Sequence, residues 1–112
     1  PDLKALLNAI IERLFDLLHV TRNNIYHPDF YGSFSIKSVG PALVPELSYD
    51  KLDGVADGMA ASASFEAMAT GRLSNALEIS IQRQGLLDYC KLDTLALVEV
   101  HRLLREKSSK VA

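Results

Sequence analysis

The sequence predicts a mainly α-helical fold, with few or no strands, as a single domain or domain fragment over residues 1–112. Two patterns predict it. Apolar residues recur at three- and four-residue spacing over most of the chain, and no strict two-residue alternation runs longer than a few positions. A chain of 112 residues builds one compact domain with a single modest core.

The elements follow in order. Leu3, Leu6, Leu7, Ile10, Ile11 and Leu14 form the stripe of an amphipathic helix with Asp2 as its cap, and periodicity alone carries that helix through Leu18. Residues 23–34 hold Asn23-Asn24, Pro28 and Gly32 among Tyr26, Phe30, Tyr31 and Phe34, an ordered loop whose aromatics anchor it to a core. A short helix follows over residues 35–43, with Pro41 in its last turn and Pro45 beyond. Residues 46–57 connect to an alanine-rich helix over 58–70, where Met59, Phe65 and Met68 supply apolar contacts and Gly71 is the stop. From Ser74 almost to Lys107 the helical period resumes, as two helices meeting near Gly85 or one long bent helix, before a fraying tail over 107–112.

Composition bounds the function. With 48% hydrophobic and 23% charged residues the chain is expected to fold over most of its length, and a net charge of −2 supplies no basic field for a polyanion. Cys90 is the only cysteine, which excludes a disulfide-stapled scaffold and makes the cytoplasm the expected compartment. No apolar run approaches the roughly 20 residues that span a bilayer, so no membrane partner is expected. The sequence starts at Pro1 with a helix almost at once, and the expectation is a piece cut from a longer protein.

Chemistry concentrates at Tyr89 and Asp93. Residues four apart on a helix lie about 40° apart around the axis, so the phenol sits over the carboxylate, on a face that continues through Leu86, Leu97, Val100 and Leu104. A carboxylate on a buried stripe requires a partner, a metal or an altered pKa. The plain alternative is that Asp93-Thr94 caps a new helix at Leu95 while Tyr89 is an ordinary core aromatic.

The segment 86–104 resembles the third motif of the DEDD superfamily of exonucleases, tyrosine subclass, in which Tyr-x-x-x-Asp lies on a late helix of a ribonuclease-H-like fold. Ser33-Phe34-Ser35-Ile36-Lys37-Ser38-Val39 resembles the helix start that precedes that motif. Together with Tyr26-His27-Pro28-Asp29-Phe30, residues 41–49 and Tyr89-Cys90-Lys91-Leu92-Asp93-Thr94, these look like the C-terminal part of an uncharacterised bacterial domain-of-unknown-function family suspected of nuclease activity.

The resemblance implies the helical C-terminal half of a ribonuclease-H-like α/β module. It implies phosphodiester hydrolysis by two divalent ions, Mg²⁺ or Mn²⁺, which favour carboxylate oxygens and stabilise the attacking and leaving oxygens. By position, Asp93 is the fourth metal-binding carboxylate and Tyr89 the phenol that places the attacking water. The first two acidic motifs are missing, so the chain alone is expected to be inactive, and its partners are the upstream domain of the same polypeptide and, for the intact parent, a nucleic-acid substrate. By the same match the first helix ends near Glu12, residues 13–15 are briefly extended and Asp16 caps a second helix. Half of such a fold would expose apolar surface, so a homo-oligomer of the fragment is expected. The reading from another class is a non-enzymatic helical interaction or scaffold domain with a structural Tyr89/Asp93 pair.

The remaining candidates read as structural. His27 and Asp29 flank Pro28 as a loop hydrogen-bond pair, His19 and His101 are isolated, and Cys90 is expected to be a buried thiol. Lys37, Arg72 and Arg83 are too scattered for a nucleic-acid stripe. Gly54 and Gly58 form no phosphate loop, and Asp53 with Asp57 is too short of ligands for calcium.

Overall fold

Five helix starts in this sequence carry a short polar side chain where an N-cap is needed, and each becomes one. The computed structural model describes residues 2–110 apart from 53, 54 and 56. It contains α1 (Leu3–Ile11), α2 (Leu17–Asn24), α3 (Ile36–Leu43), α4 (Gly58–Ala69) and α5 (Ala76–Ser109), with a single 3₁₀ turn at Pro28–Phe30. Asp2, Asp16, Ser35, Asp57 and Asn75 each accept a first-turn backbone N–H through the side chain, a contribution of about 1 kcal/mol apiece. No strand occurs among the described residues, so the mainly helical reading holds.

The boundary near Arg13 follows the family resemblance and not the periodicity. The helix expected through Leu18 ends at Ile11, a turn covers residues 12–13, and Asp16 Oδ1 accepts from Leu18 N at 2.9 Å to start α2. Apolar spacing is continuous here because Leu14, Phe15 and Leu17 keep the period, but the Asp16 carboxylate captures the backbone donor and restarts the helix. Of the two readings of the last third, the single long helix is the one found: Gly85 neither ends nor splits it, and α5 runs unbroken for 34 residues on to Ser109, past the start of the predicted frayed tail. The alternative cap at Asp93-Thr94 fails. Thr94 does not help cap a helix: its hydroxyl bonds back to the carbonyls of Cys90 and Lys91 inside α5, at 2.9 and 3.0 Å. The Asp53 and Gly54 readings lie outside the described residues.

The core is built on one face of α5. Phe30, Val39 and Val100 bury together with Ile25, Phe34 and Leu104 packed around them, while Val44, Leu47 and Ala96 form an adjoining cluster with Leu92. Each fully buried Phe or Val side chain stabilises by roughly 1.5–3 kcal/mol. Only part of the aromatic loop is anchored: Phe30 is fully enclosed and Phe34 half-buried, but Tyr26 and Tyr31 face solvent. Tyr31 and Gly32 both take left-handed backbone, φ 50° and 77°, which turns the chain into α3.

Gly40 allows α3 to lie close on α5. A Cβ at this position would sit 3.6 Å from Ala96 Cβ and 3.7 Å from Leu47 Cδ1, in ordinary van der Waals contact, so an alanine would fit while atoms beyond Cβ would meet these two neighbours. Glycine also relieves the clash that a Cβ would make with the following Pro41 in helical geometry. On the other side α4 packs along the first half of α5, where the Ser64 hydroxyl bonds the Gln82 carbonyl. Of the apolar residues of α4, Met68 and the partly exposed Phe65 line a groove with Ile79, Leu86 and Leu87 of α5, while Met59 faces solvent.

A second apolar surface is left uncovered. No residue of α1 is buried, and Leu3, Leu6, Leu7, Ile10 and Ile11 are 50–67% exposed. The accessible surface is 8442 Å², against about 6,100 Å² for a compact protein of this mass, and the radius of gyration is 17.6 Å against about 13 Å. Much of the 56 Å long dimension is α5 itself, about 51 Å at 1.5 Å per residue. Among the described residues no helix is long and apolar enough to cross a membrane.

Candidate functional site

Tyr89, Asp93, Ala96 and Val100 follow one another at three- and four-residue spacing, and Leu92 stands four before Ala96, which turns all five to the same side of α5. Tyr89, Ala96 and Val100 are buried, and Leu92 and Asp93 half-buried. The predicted face was rotated slightly from the real one: Leu97 is 45% exposed, while Ala96, absent from the reading, is fully enclosed. Alanine carries too little apolar area to mark a core face in sequence, and its smallness is what lets Gly40 approach.

The chain leaving α3 supplies the partner that Asp93 requires. Val44 and Leu47 bury against Ala96, and a turn bond from Leu47 N to Val44 O at 2.9 Å holds them in place. The segment continues toward the N-terminal half of α5, where Ser48 and Leu52 share a groove of about 220 Å³ with Asp88, Lys91 and Leu92. Between them Tyr49 donates its hydroxyl to Asp93 Oδ1 at 2.7 Å, a short charge-assisted bond across 44 positions of sequence. Sequence reasoning missed Tyr49. Its only mark was a place in the stretch 41–49 quoted for the family resemblance.

Tyr89 does not serve as that partner, since no hydrogen bond joins it to Asp93 among the described residues. Its ring lies under the Lys37 ammonium, 4.9 Å from Nζ to the centroid, a cation–π contact of about 0.5–2 kcal/mol. Its hydroxyl stands against the N-terminus of α4, where a Cβ on Gly58 would come within 3.7 Å of it. Elements α3, α4 and α5 and the 44–52 segment therefore converge on the Tyr89–Asp93 turn. Lys37, read as an isolated cation, belongs to this cluster.

Donor chemistry decides what the site could hold. A carboxylate on a rigid helix, with Oδ2 unbonded among the described residues, suits one coordination position of a hard divalent ion. The described residues contain no group of three or more His, Cys, Asp or Glu side chains placed to hold a metal. Asp93 is thus at most one corner of such a site.

The other candidates separate from it. His27 Nδ1 accepts from Asp29 N at 3.2 Å and starts the 3₁₀ turn, as a loop pair should. His19 bonds Asn23 on the surface of α2, and His101 is exposed. Cys90 is exposed, not buried as expected, because it sits one position past Tyr89 and turns away from the packed face. Asp57, considered as a calcium ligand, caps α4 instead, through Ala60 N at 2.8 Å.

Residues 1–35, less than a third of the chain, match the family described as a domain of unknown function (DUF2779). The match takes in α1, α2 and the 3₁₀ turn and does not reach Tyr49, Tyr89 or Asp93. No curated protein and no solved structure matches the chain.

The Tyr49 phenol holds its proton well above the ordinary value near 10, mainly because burial disfavours the phenolate, then because it donates to Asp93 and faces that carboxylate's charge, with Tyr89 adding a smaller push. The unfolded chain releases this proton near pH 10 and the folded chain keeps it, so the stabilisation is whole below about pH 10 and declines above it. Thermal melting followed from about pH 9 to pH 11 should show a steeper fall for the wild type than for Tyr49→Phe. Identical slopes would mean that Tyr49 is free of Asp93.

Proposed function

We propose that this chain is the C-terminal portion of a divalent-metal-dependent exonuclease module of the DEDD type, with Asp93 as one metal-binding carboxylate and Tyr89 as the phenol near the reacting water. The observation that carries the reading is the placement of Asp93. Its carboxylate is half-buried in the middle of a 34-residue helix, one turn after a buried tyrosine, with one oxygen oriented by a neutral donor and the other open. A carboxylate needed only for solubility would not occupy the packed face.

In this reading the remaining carboxylates lie elsewhere in the parent polypeptide. When bound there, Mg²⁺ or Mn²⁺ would supply charge stabilisation at the attacking and leaving oxygens of the phosphodiester. What this chain contributes is one oxygen ligand on a rigid support, a phenol one turn away, and a lysine, Lys37, that covers the phenol ring. The parent protein is assayed for Mn²⁺-dependent nuclease activity on single-stranded DNA and RNA. Asp93→Asn should lower the rate by about two orders of magnitude or more, the scale of losing a group that stabilises transition-state charge, and the isolated chain should be inactive. Wild-type activity in Asp93→Asn would remove Asp93 from the chemistry.

A second reading, a helical interaction module, has its own observation in the uncovered leucine and isoleucine face of α1. The occupant of that face in the isolated chain is a second copy. Leu3, Leu6, Leu7, Ile10 and Ile11, each at least half exposed, form a single apolar stripe for a second copy to cover. Sedimentation of the isolated chain should give a dimer at micromolar concentration, and the double substitution Leu7→Glu with Ile11→Glu a monomer. A wild-type monomer across that range contradicts it.

A further inference from the structure

We propose that the groove between α4 and α5 receives α1 of a second copy of this chain, and that two copies exchange α1 reciprocally, each giving one helix and taking one. The inference rests on the reading of α1 as a docking surface and names the surface on which it docks.

The groove is apart from the polar cluster. Phe65 and Met68 of α4 and Ile79, Leu86 and Leu87 of α5 line a trough of about 460 Å³ whose one charged wall residue is Arg83. Cys90, which turns away from the packed face of α5, also lines it, and Phe65 and Leu87 remain exposed. Its dimensions match α1. Leu3, Leu7, Ile10 and Ile11 on α1 stand at the same offsets along a helix as Ile79, Arg83, Leu86 and Leu87 on α5, and each row covers about 12 Å at 1.5 Å per residue. No residue of α1 is buried in its own copy, and a turn at 12–13 with irregular backbone over 14–16 sets it apart from α2.

Area decides between this seat and the simpler pairing of α1 with α1. A wholly covered Leu or Ile side chain gives up roughly 60–120 Å² of apolar surface. The five stripe residues, at 50–67% exposure, therefore offer about 250 Å². Stripe against stripe buries about 500 Å² over both partners, the size of an adventitious contact. In the exchange each copy covers its stripe and its groove, which doubles the total to about 1,000 Å², the level a specific interface has to reach. Reciprocity also closes the assembly. A one-way seat leaves a bare stripe on one copy and a bare groove on the other, and would propagate into a chain of copies.

The test follows this chain by sedimentation and by cross-linking. Phe65→Glu with Leu87→Glu puts two charges on the groove and leaves α1 untouched. It is expected to raise the dimer dissociation constant by about 100-fold or more. Cys90 is the only cysteine of the chain, so Leu3→Cys or Ile11→Cys, each in a Cys90→Ser background, is mixed with wild type and treated with a short bismaleimide. A product joining position 3 or 11 to Cys90 forms only between copies, and it is expected from one end of α1. Leu3 and Ile11 are exposed, so these variants report even where the glutamate pair fails to fold. A dimer that joins α1 only to α1, or a folded glutamate pair that dimerises as tightly as wild type, overturns the groove seat and keeps α1 as the docking surface. A wild-type monomer across the micromolar range overturns both.

Discussion

Burial of one side of α5 is the constraint on which the rest of this structure depends. A 34-residue helix cannot hold its own shape and place in water through propensity alone, so its stability comes from what covers it. Val100 is covered by Phe30 and Val39, and Ala96 by Val44 and Leu47. The approach is close because Gly40 faces Ala96, two residues with almost no side chain between two helices. A side chain reaching beyond Cβ at either position would press on this contact between α3 and α5.

The polar cluster is a consequence of that packing. Once Leu47 is seated near Ala96, Tyr49 two positions later falls beside Asp93, and the N-terminal half of α3 brings Lys37 over Tyr89. The carboxylate on a packed face is thereby partnered without being neutralised, which answers the cost of placing it there. The cluster joins α3, α4, α5 and the connecting segment at one turn of helix.

Local signals in the sequence were strongest where one short side chain decides the outcome. The Asp2 cap acts within two residues and the amphipathic period of α1 needs no tertiary partner to be seen, whereas the Asp16 cap came only with the family resemblance. Gly85 left one helix or two open in the sequence, and the structure keeps one because the cost of a helical glycine, about 1 kcal/mol, is small against the packing that holds a long helix together. Asp93 and Tyr89 were visible as an anomaly of spacing, but their actual partners were not. Tyr49, Lys37 and Gly58 meet them only after the chain has doubled back, and no pattern within a single segment encodes that meeting. The exposure of Cys90 and of Met59 and Phe65 was likewise hidden, since composition shows that a residue is apolar and not which way the helix turns it.

The proposed reading is that Asp93 is one carboxylate of a divalent-metal site in the intact protein. Paramagnetic broadening of amide signals on addition of Mn²⁺ to the isotopically labelled parent protein tests it most directly. The account predicts broadening that centres on Asp93 and extends to the segment around Tyr49 and to Tyr89. Broadening centred elsewhere, with the α5 signals near Asp93 left sharp, would contradict it.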